Sequence, residues 1–159
     1  MLWRRSKKIL KKTAPEKTMF SSENHEGRLV ELCIESPFTE PELEEFLRVH
    51  VGVLQKLDGD FIVAVDLRQA HVFPPGITER FIGLMSQLNP RLLRSAMLIN
   101  ESAILGLQAE RAIMEAGHPD RRTFRDTEAM IAWLREVLTD REARRLGEFL
   151  CAPRPRGLA

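Results

Sequence analysis

The residues with most chemical capacity fall in two short stretches, Asp66-Leu67-Arg68-Gln69-Ala70-His71 and Asn100-Glu101. Two carboxylates, a guanidinium and an imidazole within hydrogen-bond reach of one another could run acid–base chemistry. Each stretch follows an apolar run, Phe61-Ile62-Val63-Ala64-Val65 in one case and Ser95-Ala96-Met97-Leu98-Ile99 in the other. If both runs are strands of a parallel sheet, both stretches emerge at its carboxyl edge, where open α/β folds bind ligands. The same residues also suit loop polarity and helix capping, and position in a fold is only analogy. Asp66, His71 and Glu101 are therefore the candidates for a small enzyme, and no substrate follows from them.

Other chemistries lack their spacing. His25, His50, His71 and His118 are scattered and form no His-x-x-x-His pair, so no metal site is expected. Cys33 lies in an apolar run and reads as a small core residue, and Cys151 is too distant in sequence to make a redox motif with it. Gly76 and Gly83 are isolated, so neither a Gly-x-Gly-x-x-Gly loop nor a P-loop is present. The serine after the Ser95 run sits in Asn100-Glu101-Ser102-Ala103, not in a nucleophile elbow. No cofactor is expected.

The elements that must position these residues alternate. Val30, Leu32 and Ile34 share one face of a strand over 28–35, with Glu31 and Glu35 on the other face beside Leu29 and Cys33, so a strand with one buried face is expected. Residues 19–24 are expected to pair with it across His25-Glu26-Gly27. Thr39-Glu40-Pro41-Glu42 has capping-box spacing, and Phe38 and Leu43 are placed as a hydrophobic staple. A helical stripe of Leu43, Phe46, Leu47, His50, Leu54 and Leu57 follows, ending near Asp58-Gly59. The run Phe61–Val65 is apolar on both faces, as a central strand must be. Pro74-Pro75-Gly76 opens a helix that buries Ile77, Phe81, Leu84, Met85 and Leu88. Ser102 caps a helix striped by Leu105, Ala109, Ala112, Ile113 and Ala116, which Gly117 ends. A short strand, Arg122-Thr123-Phe124-Arg125, precedes a helix with Met130, Trp133, Leu134, Val137 and Leu138, and another helix covers 139–150. Strand and helix alternate at roughly 30-residue spacing, which argues for β-α-β crossovers and a mixed, mostly parallel sheet of four to five strands with about four helices.

The chain has 159 residues, enough for one domain with extensions. Its 43% hydrophobic content excludes a wholly disordered chain, and no run reaches the roughly 18 apolar residues of a spanning helix. A net charge of +1 gives no footing for a nucleic-acid binder. The charge is unevenly placed, however. Arg4, Arg5, Lys7, Lys8, Lys11 and Lys12 crowd the first residues, and on a helical wheel Leu2, Trp3, Ser6, Ile9 and Leu10 fall on the side away from them. Such a partition suits either a solvated tail or an interfacial helix, with Trp3 in the acyl boundary and the cations at anionic headgroups. No secretory signal is visible, so a cytoplasmic location is expected, peripheral to a membrane if the arm binds one. The expected organisation is an arm over 1–18, a domain over 19–138, and a C-terminal helix with a tail over 139–159.

Four pieces together look familiar: Glu35-Ser36-Pro37-Phe38-Thr39-Glu40-Pro41-Glu42-Leu43; Phe61-Ile62-Val63-Ala64-Val65-Asp66-Leu67; Pro90-Arg91-Leu92-Leu93-Arg94-Ser95-Ala96; and Phe124-Arg125-Asp126-Thr127-Glu128-Ala129-Met130-Ile131-Ala132-Trp133-Leu134. In these pieces the chain resembles the STAS domain, in particular its bacterial SpoIIAA-like branch. The resemblance implies an α/β sandwich with helices largely on one side, and a non-enzymatic regulatory module that docks onto a protein partner. Antagonist-type members carry a phosphorylatable Ser or Thr at the helix start after the Asp-containing strand. Here prolines and Gly76 occupy that place, and Thr78 is the nearest hydroxyl. The expected docking face is the loop and helix carrying Arg68, His71, Phe73, Ile77, Thr78, Arg80 and Phe81, with aromatic and Arg anchors. The alternatives are lipid binding through the arm and the small enzyme described above. The helix over 139–150 is expected either to fold back on the domain or to pair with another copy in a homodimer.

Overall fold

The computed structural model describes residues 20–35 and 38–151. Gly27, at φ +54°, turns strand β1 (Phe20–Glu26) into its antiparallel neighbour β2 (Leu29–Ile34). That left-handed backbone is one that glycine adopts without a Cβ penalty. From β2 onward the sheet is parallel. Helix α1 (Glu40–Gln55) leads to β3 (Phe61–Leu67), α2 (Pro75–Leu88) and a single 3-10 turn lead to β4 (Leu92–Ile99), and α3 (Ala103–Ala116) leads to β5 (Arg121–Phe124). The spatial order is β1-β2-β3-β4-β5.

This order fixes the layers. Parallel crossovers share one hand, so a sheet built strand by strand in one direction carries its crossover helices on one face. Accordingly Val30, Leu32, Ile34, Val63, Val65 and Leu67 pack with Leu43, Phe46 and Leu54 of α1, Ile77 of α2, and Leu105 and Ala109 of α3. Helices α4 (Thr127–Arg135) and α5 (Asp140–Cys151) follow the last strand and are not crossovers. They return over the opposite face, where Met130, Leu134, Leu146, Phe149 and Leu150 cover Leu29, Cys33, Ile62, Ala64, Ala96 and Leu98. The expectation of helices largely on one side is corrected here: the sheet is sandwiched, three helices against two.

The second layer also corrects the reading of β2 as a strand with one buried face. All six of its residues are buried, Glu31 included. Arg145 of α5 answers Glu31 with two hydrogen bonds, Nε at 2.5 Å and Nη2 at 2.8 Å. A buried carboxylate is tolerable only with such a partner.

Local caps follow the sequence closely. Thr39 and Glu42 form a reciprocal capping box at α1, Ser102 accepts from the Leu105 N–H, and Asp126 accepts from the Ala129 N–H. Gly117 closes α3 in the left-handed conformation. A second capping box, Thr139 with Glu142, opens α5.

Candidate functional site

At the carboxyl edge of the sheet, Asp66 is the penultimate residue of β3, and its side chain shares the face of Ile62 and Ala64 on the α4–α5 side. Arg68 grips this carboxylate through its backbone N–H, its Nε and its Nη2, each at 3.0 Å. The same guanidinium donates to the Leu150 carbonyl at 2.8 Å. The Asp66 hydrogen bond raises the Arg68 pKa above its ordinary value despite partial burial. Arg68 thus ties the end of β3 to the last turn of α5, where exposed carbonyls favour a cation. Asn100 does similar work: its Nδ2 donates to the carbonyls of Arg68 and Ala70, and its Oδ1 accepts from the Ser102 N–H. His71 and Glu101 lie exposed at the rim, and a shallow depression runs past Arg68, His71, Val72, Asn100 and Ser102. Asp66, Arg68 and Asn100 are therefore occupied in fastening loops and helix ends.

The expected docking face is mostly interior. Phe73, Ile77 and Thr78 are buried, and the Thr78 hydroxyl turns back to the Pro74 carbonyl at 3.4 Å. Phe81 is partly buried in an aromatic cluster, with ring centroids 5.4 Å from Phe73, 5.9 Å from Phe38 and 5.5 Å from Phe46. These rings serve the core between α1 and α2: Phe81 stands on the inward side of α2, and Phe73 on the loop just before it. Arg80 is exposed and bridges to Glu44 at 2.9 Å and to Glu40 at 3.6 Å. Of the seven residues, only His71 and Arg80 stand fully at the surface. Trp3, Arg4, Arg5, Lys7, Lys8, Lys11 and Lys12 lie outside the described residues.

Two features were missed in the sequence. The first is the outer strip of α3. Ile104, Leu107 and Met114 are 60%, 70% and 77% exposed, and Val72 on the adjoining loop is 45% exposed. Positions 104, 107, 111 and 114 recur at helical spacing, so they share one side, opposite the buried Leu105, Ala109, Ala112 and Ala116. Arg111 sits within the strip and bridges to Glu79 and Glu115, each at 2.7 Å. A helix apolar on two sides was legible from its composition.

The second is an apolar cavity of about 100 Å³ between the sheet and α1–α3. Few polar groups line it. His50 shares a 2.7 Å hydrogen bond with the Ser22 hydroxyl, stacks on Phe46, and is pushed down to a pKa of about 4 by burial. Gln108 accepts from the Phe73 N–H and donates to the Phe73 carbonyl. Arg121, at the start of β5, has its pKa lowered to about 10 by burial. Its Nε is buried without a hydrogen-bond partner among the described residues.

The hairpin register also gathers Glu23, His25 and Glu31, whose ligand-type atoms lie within 4.8 Å of one another. Glu31 is held there by Arg145, and His25 by Glu23 at 2.8 Å. No helix among the described residues is long and apolar enough to cross a membrane. No family model matches the chain, and no curated protein matches it.

Proposed function

We propose that the chain is a non-enzymatic regulatory module of the STAS, SpoIIAA-like kind that acts by docking onto a protein partner, and that the docking surface is the outer strip of α3. The exposure of Ile104, Leu107 and Met114 on one side of a single helix carries this reading. Contiguous apolar surface of that kind marks interaction sites, whereas single exposed apolar residues need no explanation. A partner helix could seat its own apolar positions against 104, 107 and 114, with Arg111 and its two glutamates supplying polar contacts. The carboxyl edge supports this reading indirectly, because Asp66, Arg68 and Asn100 are engaged in structural contacts. A kinase switch at Thr78 has little to recommend it, since the hydroxyl is buried and bonded within its own helix turn.

The test is affinity capture with the full-length chain against a variant carrying Leu107→Glu and Met114→Glu. Both sites are exposed, so the variant is expected to fold with an unchanged unfolding midpoint. Capture of a reproducible protein by the wild type, and its loss from the variant, is the expected outcome. A partner retained at full yield by the variant would move the docking surface elsewhere.

A further inference from the structure

Arg121 is 7% exposed, and its neighbours satisfy only part of it. One Nη donates to the Met85 carbonyl at 2.9 Å and to Asn89 Oδ1 at 3.0 Å. Among the described residues Nε has no acceptor, and no carboxylate forms an ion pair with the guanidinium. An uncompensated buried cation and an unmade buried hydrogen bond are both costly. Ser95 is the register partner of Arg121 across β4 and β5, so its side chain stands on the same face of the sheet. It is 1% exposed and lines the same cavity. The remaining wall is almost wholly apolar, including Val63, Leu84 and Leu88.

We propose that this cavity binds a small monocarboxylate with a short apolar tail, its carboxylate accepting from Arg121 Nε–H and the Ser95 hydroxyl. The charge is set by the site: one guanidinium stands there, so a neutral body would leave it uncompensated and a dianion would bring a surplus charge into an apolar wall. The size is set by the space. An apolar cavity of roughly 150 Å³ takes benzene, with its six heavy atoms, so one of about 100 Å³ takes about four or five, an acid of roughly two to three carbons. The tail lies against the apolar wall and gains by leaving water. The site is separate from the α3 strip, so it stands or falls independently of the docking reading.

The experiment uses the full-length, ¹⁵N-labelled protein and follows the Arg121 Nε–H resonance during titration with propanoate, with its neutral amide and with chloride. A saturable shift with the acid, at an affinity ~tenfold or more above that of the amide, is expected. An unsaturable response to the acid, equal binding of acid and amide, or the same saturable shift with chloride would each overturn the proposal. Ala109→Met, which fills the cavity from α3, is expected to abolish the response, and a variant that binds the acid unchanged would also refute it. Arg121→Met should remove the preference for acid over amide. Because Arg121 also ties α2 to β5, that variant can fail to fold, and the comparison on the wild-type protein then decides.

Discussion

His50 shows how far a residue's chemistry is reset by its surroundings. Its ordinary pKa of 6.5 falls to about 4 because burial penalises the imidazolium. Between those two values the unfolded chain binds more protons than the folded one. Stability is therefore full above the unfolded value, declines as pH drops from 6.5, and has lost this contribution by about pH 4. The window corresponds to about 3 kcal/mol. Urea midpoints measured across it should fall steeply for the wild type and more gently for His50→Phe. That variant keeps a ring against Phe46 but gives up the Ser22 hydrogen bond. Parallel pH profiles for the two proteins would show that another group titrates.

At the scale of elements, the connections that matter join segments distant in the chain. Arg91 donates to the carbonyls of Leu57 and Gly59 at 2.7 and 2.8 Å, so the entrance of β4 caps the end of α1, which has no basic residue in its own last turn. Glu142 of α5 accepts from the Arg28 N–H at 2.6 Å and the Thr139 N–H at 2.9 Å. Burial alone would raise its pKa, but these two N–H groups and the Arg28 side chain outweigh burial and hold it below the ordinary carboxylate value. Gly27 leaves room for this contact, since a Cβ there would stand 2.2 Å from the Glu142 carboxylate oxygen. Glu142→Ala should cost about 2–3 kcal/mol, the penalty of orphaning buried donors. Gly27→Ala should cost a similar amount in the wild type, but only the backbone share of about 1 kcal/mol once Glu142 is Ala. Strict additivity in this double-mutant cycle, read by denaturant titration, would argue against the contact.

For the whole molecule, α5 folds back on the sheet and helps to close its second face. Leu146, Phe149 and Leu150 are buried against the sheet, and Arg145 holds the buried Glu31. The face of α5 that could have paired with another copy is covered within the chain. Removing residues 139–151 would strip cover from Leu29, Cys33 and Ile62 and take the Arg145 guanidinium away from Glu31. A fragment ending at 138 should lack a cooperative thermal transition, and a fragment melting with the full-length midpoint would show that α5 is dispensable.

Much of the fold was legible because its determinants are local. The capping box at Thr39, the Ser102 cap, the Gly117 stop and the apolar run of β3 each rest on neighbours within a turn or a strand. The alternation of elements then implied a mostly parallel sheet. The candidate site was far less legible. Phe73, Ile77 and Phe81 have types that suit either an anchor or a core, and only packing against Phe38 and Phe46 chose the core. Likewise nothing in the sequence marks Arg121 as different from the arginines beside it, and the expected strand, 122–125, left it out of the strand that holds it. Burial, register and missing acceptors are properties of the assembled chain, because they depend on which surfaces other elements take from water. The sequence by itself determined the order and type of the helices and strands, because their signals are local; the tertiary structure decided that two helices close the second face, which side of α3 stays exposed, and that one cation is shut inside without a counter-charge among the described residues.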